Sequence, residues 1–392
     1  MRDRSACAGQ VGAGDGRHRL ALALVCVLVA VVGCTVDPGP LVAPGTVVAS
    51  DPSVRWVARI AWSDDGDELA FLGTGVGGPT LAYRAVVDDA SMSVSVVEGV
   101  RDASELRYLP GGRDLVLVGG TSGDAGAGAC DRGAVLLVRA GAAPTVLACP
   151  FDVPYNVLGS ARDGVVAAVV DPDQFVAVAA DGAAVAVPTG GEAVLVDLAT
   201  RTATPLGLGI PVTFDPAGER VVVVAFDPDA WALQPWTLVS LEDGSRTALP
   251  VDEARFERGY HVYGVRWIDE LALLVERDDA GAAEWAMWFV ERDEWRTLGP
   301  ARDGVGAFPR NQVPRWSASG RLLAFREYEC VRAGLLPGCA EPRWSIVVVD
   351  VDTGRRTLAY RGAAFVDVPA VAPDDRSVAF AVDGVIYRKA LP

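Results

Sequence analysis

The sequence predicts an all-β protein, and three observations lead to that prediction. Short apolar runs recur along nearly the whole chain, and clusters of Gly, Pro, Asp and Ser separate them. The same turn-and-strand unit returns about every 50 residues, a period that is typical of solenoids, propellers and arrays. No segment beyond residue 34 carries the period of about 3.6 residues that indicates an amphipathic helix.

The repeated unit opens in most copies with an aromatic residue, continues through a polar turn and ends in an apolar run. The best copies are WSDDG at 62–66 and WSASG at 316–320. Asp, Ser and Pro favour such turns, and Gly supplies the positive φ at which the chain reverses. The units are anchored at positions 62, 108, 160, 214, 267, 316 and 371.

A second hairpin closes each unit, as at 239–249 and 349–358. Two hairpins make a four-stranded antiparallel sheet, which is the size of one propeller blade. The sequence therefore predicts a seven-bladed β-propeller. Six blades are the alternative, because the copy at Ser160 is the poorest and is also consistent with an insertion.

The C-terminal end of the chain predicts how the ring closes. Only 21 residues follow Val371, which is enough for three strands. We expect the missing outer strand of the last blade to come from residues 46–50 or 54–57. Such a strand would pair the first and last blades and remove the exposed sheet edges.

The repeats resemble the WD40-like repeat of TolB-type propellers, whose pattern is a W-S-P-D-G turn followed by an apolar run. The resemblance covers about residues 54–389. It implies the propeller fold and, in many relatives, an envelope protein that docks other proteins. It implies no particular chemistry.

The N-terminus predicts export. Arg17 and Arg19 precede an apolar run from Leu20 to Val32, which has the layout of a secretory signal and is too short for a permanent membrane span. The stretch at 31–34 (VVGC) resembles the lipobox of bacterial lipoproteins, in which the cysteine, here Cys34, is acylated, for example with palmitate. We therefore expect a signal peptide at 1–33, a Pro-rich tether at 34–53 and the propeller at 54–392, anchored by its lipid on the extracytoplasmic face of the cell membrane.

The remaining cysteines form two pairs that are close in sequence. Cys130 and Cys149 are 19 residues apart, and Cys330 and Cys339 are nine apart. Four cysteines allow three connectivities, and proximity favours the two local ones. Disulfides persist outside the cytoplasm, so this pairing agrees with export.

Composition excludes several classes of function. The chain has 35 basic and 51 acidic residues and a formal net charge of −16, which disfavours nucleic acid as a partner. With two histidines, His18 and His261, we expect neither a His-rich metal site nor any other cofactor. A weaker possibility is Ca²⁺ at the carboxylate runs 171–173 and 227–229.

Three arginines form the candidate binding site for an anion or a partner. Arg107, Arg266 and Arg315 each directly precede the aromatic anchor of their unit. Equivalent positions of a repeat occupy equivalent points around a propeller, so three guanidinium groups would meet at the channel. Their planar donors suit a carboxylate or a phosphate.

These observations predict a lipid-anchored cell-envelope propeller that acts as a non-catalytic protein-binding or scaffold module. Its partner would be an envelope protein, and no residue is given a catalytic role. The alternative is an extracytoplasmic propeller enzyme of the glycosidase, lyase or lactonase type, or a solute-binding lipoprotein. The fold alone does not decide between them.

Overall fold

A computed structural model of the chain describes most residues from Leu41 onward. The described ranges are 41–87, 94–121, 134–148, 177–178, 184–189, 192–227, 232–251, 261–278, 283–300, 315–333, 339–367 and 369–392. These ranges contain strands and no α-helix, and therefore no helix with the length and apolarity to cross a membrane.

The strands form seven four-stranded antiparallel sheets arranged in a ring, so the structure is a seven-bladed β-propeller, as predicted. Blade 1 contains β2 (Trp56–Trp62), β3 (Glu68–Thr74), β4 (Thr80–Val86) and β5 (Val94–Val96), and blade 2 contains β6 (Val100–Tyr108), β7 (Leu115–Thr121), β8 (Ala134–Val138) and β9 (Thr145–Ala148). Blade 3 contains β10 (Ala177–Val178), β11 (Ala184–Thr189), β12 (Glu192–Asp197) and β13 (Ala203–Leu208). Blade 4 contains β14 (Ile210–Phe214), β15 (Arg220–Asp227), β16 (Ala232–Ser240) and β17 (Arg246–Ala248).

Blades 5 to 7 complete the ring, and the last one combines both ends of the propeller. Blade 5 contains β18 (His261–Trp267), β19 (Leu271–Asp278), β20 (Ala283–Phe289) and β21 (Glu294–Pro300). Blade 6 contains β22 (Arg315–Trp316), β23 (Leu322–Ala333), β24 (Cys339–Asp350) and β25 (Arg356–Gly362). Blade 7 contains β26 (Ala370–Val371), β27 (Ser377–Val382), β28 (Val385–Ala390) and β1 (Thr46–Ser50).

The repeated turns explain why the sequence pattern predicts blades. In blade 1 the Ser63 hydroxyl accepts a hydrogen bond from the Glu68 backbone N–H at 3.0 Å, and in blade 6 Ser317 accepts the same bond from Leu322 at 3.0 Å. The glycines of these two turns have a positive φ, 74° at Gly66 and 78° at Gly320. The serine thus satisfies the backbone where the chain reverses, and the glycine permits the reversal.

Apolar side chains fill the space between neighbouring blades. The cluster between blades 4 and 5 contains Trp236, Leu273 and Trp288, all buried. The cluster between blades 7 and 1 contains Ala49, Trp62 and other buried residues. Because both faces of most blades are buried, the central strands have continuous apolar runs rather than strict alternation.

The ring closes through the N-terminal strand. β1 pairs antiparallel with β28 as the outer strand of blade 7. The Trp62 indole N–H also donates to the Ala370 carbonyl at 3.0 Å, which joins blade 1 to blade 7. β1 lies inside the range 34–53 that was expected to be a tether, so the propeller begins before residue 54.

Blade 3 does not begin where the repeat pattern placed it. Ser160 lies outside the described residues, and the first two described strands of this blade are β10 and β11. Residues 179–183, which include Asp181 and Gly182, separate these strands. The weak repeat copy at Ser160 therefore does not connect the first two described strands of blade 3, and the blade count is seven without it.

Candidate active site at the channel

Charged side chains of the inner strands mark the two ends of the channel. We call the first strand of each blade its inner strand. The end of the channel where the inner strands begin is named the loop mouth, and the end where they run into the repeated turns is named the turn mouth. Asp367 lies just before β26, toward the loop mouth. Arg59 pairs with Glu105 at 3.1 Å between the inner strands of blades 1 and 2. Arg266, at the end of β18, lies at the turn mouth.

Asp367 is a buried carboxylate held between blades 7 and 1. Only 9% of the residue's surface is exposed. Its Oδ2 atom accepts a hydrogen bond from the Val57 backbone N–H at 3.0 Å, whereas no described group donates to Oδ1. Burial raises the pKa of Asp367 to about 6, against the opposing effects of the Val57 N–H and the positive charge of Arg326; the negative charge of Asp383 raises it further.

Arg326 supplies the positive charge beside this carboxylate. It lies on β23 of blade 6, and its Nη1 atom donates to the Val366 carbonyl at 3.0 Å. Its guanidinium carbon lies 5.3 Å from the centre of the Trp344 ring and 5.0 Å from that of Phe365. Burial lowers the pKa of Arg326, and the charge of Asp367 opposes that effect. The arginine is thus positioned by one carbonyl and two aromatic rings.

The two aromatic rings form a partly exposed apolar wall. Trp344 and Phe365 meet edge to face, with ring centres 4.9 Å apart. Tyr328 also contacts Trp344, with ring centres 4.7 Å apart. Phe365 is 38% exposed, so a ligand in solution can reach its ring. An exposed ring beside a positioned arginine offers both stacking and charge to a ligand.

Arg326, Trp344, Phe365 and Asp367 together are named the Arg326 cluster. A carboxyl group with a pKa near 6 is mostly ionised at neutral pH and can still take a proton, so Asp367 suits a general base. The planar guanidinium group of Arg326 suits a substrate carboxylate. The cluster therefore combines a group that suits a carboxylate ligand with a group that can accept a proton.

The three arginines predicted from the repeat lie near the ends of the first strands of blades 2, 5 and 6. Arg107, Arg266 and Arg315 all lie on inner strands next to the turn mouth. The positive charge of Arg107 lowers the pKa of Arg266, so these two side chains interact electrostatically. A binding role for the three arginines stays a prediction.

The predicted cysteine sites are only partly described. Cys34, Cys130 and Cys149 lie outside the described residues. Cys330 and Cys339 lie on the paired strands β23 and β24, opposite Pro342 and Ala333 respectively. Both disulfides and the lipid on Cys34 stay predictions. The first carboxylate run proposed for Ca²⁺ also lies outside the described residues, and the second does so in part.

Sequence reasoning did not identify the Arg326 cluster. Asp367 belongs to the connection between blades 6 and 7, which carries no repeat motif. Arg326 directly follows the apolar run that ends in Phe325. A charged residue that continues a buried strand was the available signal, because such a side chain needs a partner within the fold.

The comparisons with known proteins find enzymes with the same architecture. No protein-family model matches the chain, and no curated protein matches it either. An oligogalacturonate lyase solved in complex with manganese has a TM-score of 0.57 at 14% identity, with 90% of this chain and 97% of that chain covered. An oligogalacturonate lyase from Vibrio parahaemolyticus has a TM-score of 0.54 at 11% identity, with 90% and 93% covered. A TolB-like protein from Agrobacterium tumefaciens has a TM-score of 0.38 at 12% identity, with 86% and 91% covered.

These neighbours correct the expected function. The prediction of a non-catalytic binding or scaffold module is wrong by this comparison, because propellers that match this one over nine-tenths of its length are lyases. The enzyme alternative is better supported. At such low identity the likeness shows the fold, so the chemistry has to be argued from the side chains of this chain.

The described residues do not match the manganese of the first neighbour. No three His, Cys, Asp or Glu side chains in the described ranges come together in a way that could hold a metal ion. We therefore derive no step through a metal. The expectation that this protein needs no cofactor stays a prediction, since one lyase of the same fold was solved with manganese.

Proposed function

We propose that the chain is a lyase-type propeller enzyme that cleaves an acidic oligosaccharide at the Arg326 cluster. The observation that carries the proposal is Asp367, a buried carboxylate with a pKa near 6 beside a positioned arginine and an exposed aromatic ring. The lyases of the same fold support the reaction class and suggest oligogalacturonate-like substrates.

In this reaction Arg326 binds the carboxylate of a uronic acid unit. Neutralising that charge makes the proton on the adjacent carbon more acidic, and the guanidinium group is already oriented by Val366 and the two rings. Phe365 packs against the apolar face of the sugar. The binding energy is thus directed to the atoms that react.

Asp367 then removes the proton through Oδ1, the oxygen that has no hydrogen bond from the described residues. The electron pair left on that carbon forms a C=C bond with the neighbouring carbon, whose bond to the glycosidic oxygen breaks. That oxygen keeps the electron pair of the broken bond and takes a proton from water. Asp367 returns its proton to solvent, which a group with a pKa near 6 does readily at neutral pH.

The proposal also includes the location of the enzyme. Cys34 would carry the lipid, residues after it would form the tether, and the propeller would stand on the extracytoplasmic face of the membrane. An extracytoplasmic location agrees with an oligosaccharide substrate and with the two local cysteine pairs.

The test is a lyase assay on oligogalacturonate and other uronate-containing oligosaccharides, with added Mn²⁺ and with a chelator. The product has a C=C bond conjugated to a carboxylate, so it is followed by ultraviolet absorbance. We expect kcat/KM to rise with pH through an apparent pKa near 6. Asp367→Asn, which keeps an acceptor for Val57, should lower kcat by about 10²–10⁴-fold.

Asp383→Asn is the matched control, since it removes one carboxylate charge from an exposed turn of the same blade. It should retain kcat and shift the pH profile downward, because the charge of Asp383 raises the pKa of Asp367. Arg326→Gln should raise KM for charged substrates more than for methyl-esterified ones. Failure of the wild-type chain to form unsaturated product from any acidic oligosaccharide would overturn the proposal, as would full activity in Asp367→Asn.

A further inference from the structure

Two exposed aromatic rings lie beside Asp367 at the loop mouth, and only one of them belongs to the Arg326 cluster. Phe365 precedes Asp367 by two residues and is 38% exposed. Trp56 is 52% exposed and directly precedes Val57, whose backbone N–H donates to the Oδ2 atom of Asp367. The connection between blades 6 and 7 and the inner strand of blade 1 thus each carry one exposed ring next to their contact.

The hydrogen bond limits how far Trp56 can lie from this carboxylate. The Oδ2 atom of Asp367 is 3.0 Å from the Val57 nitrogen, and two covalent bonds separate that nitrogen from the Trp56 Cα atom. The Trp56 Cα atom therefore lies within about 6 Å of Oδ2, by the standard lengths of those bonds. In the connection, the Cα atoms of Phe365 and Asp367 are at most about 7.6 Å apart, because a trans peptide spans about 3.8 Å. Both rings are thus close enough to Asp367 for a ligand of two or three sugars to contact both.

The Trp56 ring is available to such a ligand. With the residues that the structure describes, it forms no ring contact, cation–π pair or hydrogen bond. Its neighbour Val57 is buried in the cluster between blades 7 and 1, so the alternation of the strand turns the Trp56 side chain away from that core. A ligand that covered the ring would remove apolar surface from water and gain a stacking contact.

Arg55 adds a positive charge next to this ring. It directly precedes Trp56, is exposed, and forms no ion pair within the described ranges. Phe365 also has an arginine beside it, since the guanidinium carbon of Arg326 lies 5.0 Å from its ring centre. Each exposed ring is therefore accompanied by a group that suits a carboxylate. A uronic acid has the complementary pair of features, an apolar face of C–H groups and a carboxylate.

We propose that Trp56 and Arg55 form a second sugar subsite, so that an acidic oligosaccharide lies across Asp367 with one uronate on Phe365 and a neighbouring one on Trp56. The inference rests on the proposed function for the position of the reacting sugar. It adds a preference for chains of at least two uronates and the two residues that determine this preference. Neighbouring sugars are joined through one oxygen, so a chain that contacts both rings has a linkage close to Asp367.

The experiment is calorimetric titration of the full-length Asp367→Asn variant, which should bind its ligand without cleaving it. The probes are galacturonate, digalacturonate, trigalacturonate and, as a neutral chain, cellotriose. We expect trigalacturonate to bind at least about tenfold more tightly than galacturonate, because only the longer chain covers both rings. Cellotriose should bind more weakly than trigalacturonate, since it has no carboxylate. Equal affinities for galacturonate and trigalacturonate would overturn the second subsite, as would a lack of binding by all three acidic probes.

Variants in the same background assign the gain to the second subsite. Trp56→Ala should remove most of the preference for trigalacturonate over galacturonate, whereas Trp56→Phe, which keeps a ring, should retain most of it. Leu208→Ala is the matched control, because it removes an exposed apolar side chain from the outer strand of blade 3, and it should leave the preference unchanged. Arg55→Gln should weaken the binding of trigalacturonate and not that of cellotriose. An unchanged preference in Trp56→Ala would refute the assignment.

Tryptophan fluorescence gives a second measurement of the same contact. Saturation with trigalacturonate should change the emission, and Trp56→Phe should lose part of that change while it still binds. The same change in both chains would contradict stacking on Trp56. Because the Trp56 side chain is largely exposed, its variants should keep the melting temperature of the parent chain, which verifies that they are folded.

The lyase assay separates this inference from the proposed reaction. If the wild type forms no unsaturated product but Asp367→Asn binds trigalacturonate in a Trp56-dependent way, the subsite stands and the reaction fails. If the wild type cleaves trigalacturonate and Trp56→Ala has the same KM, the reaction stands and the subsite fails.

Discussion

Ring closure by β1 makes Ala49→Asp a sensitive test of the architecture. Ala49 is fully buried in the cluster between blades 7 and 1, and a register shift in the β1–β28 pairing turns both Val48 and Ala49 inward. The neighbouring Ser50 is exposed on the same strand. Ser50→Asp therefore adds the same charge one residue away without placing it in the core.

The expected cost follows from the proton that the new carboxyl group must keep. An Asp side chain has a pKa of about 3.9 in the unfolded chain, and full burial raises it by roughly 3–5 units. At pH 7 the folded state holds the proton that the unfolded state has released, which costs about 1.4 kcal/mol per unit between 3.9 and 7, or about 4 kcal/mol. With an unfolding entropy of about 2.1 cal/mol/K per residue over about 340 residues, Tm should fall by roughly 6 °C.

The sign of the pH dependence distinguishes the cost of burying an ionisable carboxyl group from a packing defect. Below pH 4 both states hold the proton and the electrostatic cost vanishes; it grows as pH rises toward the raised folded pKa. Between pH 7 and pH 5 the destabilisation by Ala49→Asp should therefore shrink by about 2.7 kcal/mol. A packing clash would not change with pH.

Thermal melts of the wild type, Ala49→Asp and Ser50→Asp at both pH values decide the question. A truncated chain that begins at Asp51 lacks β1 entirely and should be destabilised at both pH values, whereas one that begins at Leu41 should match the wild type. Equal melting temperatures for Ala49→Asp and Ser50→Asp at pH 7 would refute closure by β1.

Three further predictions concern the anchor, a disulfide and a contact between blades. Cys34→Ser should release the protein from the membrane fraction, and wild-type protein found soluble without lipid would contradict the anchor. A non-reducing peptide map should join Cys330 to Cys339, and Cys330→Ser should then leave one free thiol; a bridge from either to another cysteine would exclude the local pairing. Trp62→Phe removes the donor to the Ala370 carbonyl and should cost about 1–3 kcal/mol in urea melts, with no change expected if that carbonyl is hydrated instead.

The blades could be predicted because each repeated turn is a local structure. Ser63 and Ser317 satisfy the backbone within five residues, and Gly66 and Gly320 reverse the chain at the same point. Such chemistry is visible in any window of the sequence, and its recurrence predicts the sheet size and the number of blades.

Blade 3 shows where this local reasoning failed. Its described strands begin at Ala177, and the sequence between β10 and β11 has an Asp-Gly pair at 181–182 but no aromatic anchor. A weak match to the repeat pattern placed the turn at 160–164 instead. That stretch has turn residues without an aromatic anchor, and Ser, Asp and Gly also favour turns in connections between blades, so turn residues alone are a weaker guide than the whole unit.

The arginine positions of the repeat and the Arg326 cluster differ in how far the sequence could predict them. Arg107 and Arg266 occupy an equivalent position of the repeat, and the fold converts equal positions in sequence into equal heights around one axis. Asp367 has no such equivalent, and its chemistry depends on Val57, which lies 310 residues away in the chain and donates to it only when the ring is closed. Its raised pKa is a property of burial that arises where the two ends of the propeller meet. In a repeat fold, a site built on the repeated positions is therefore accessible to sequence reasoning, whereas a site built on a connection appears only once the ring is assembled.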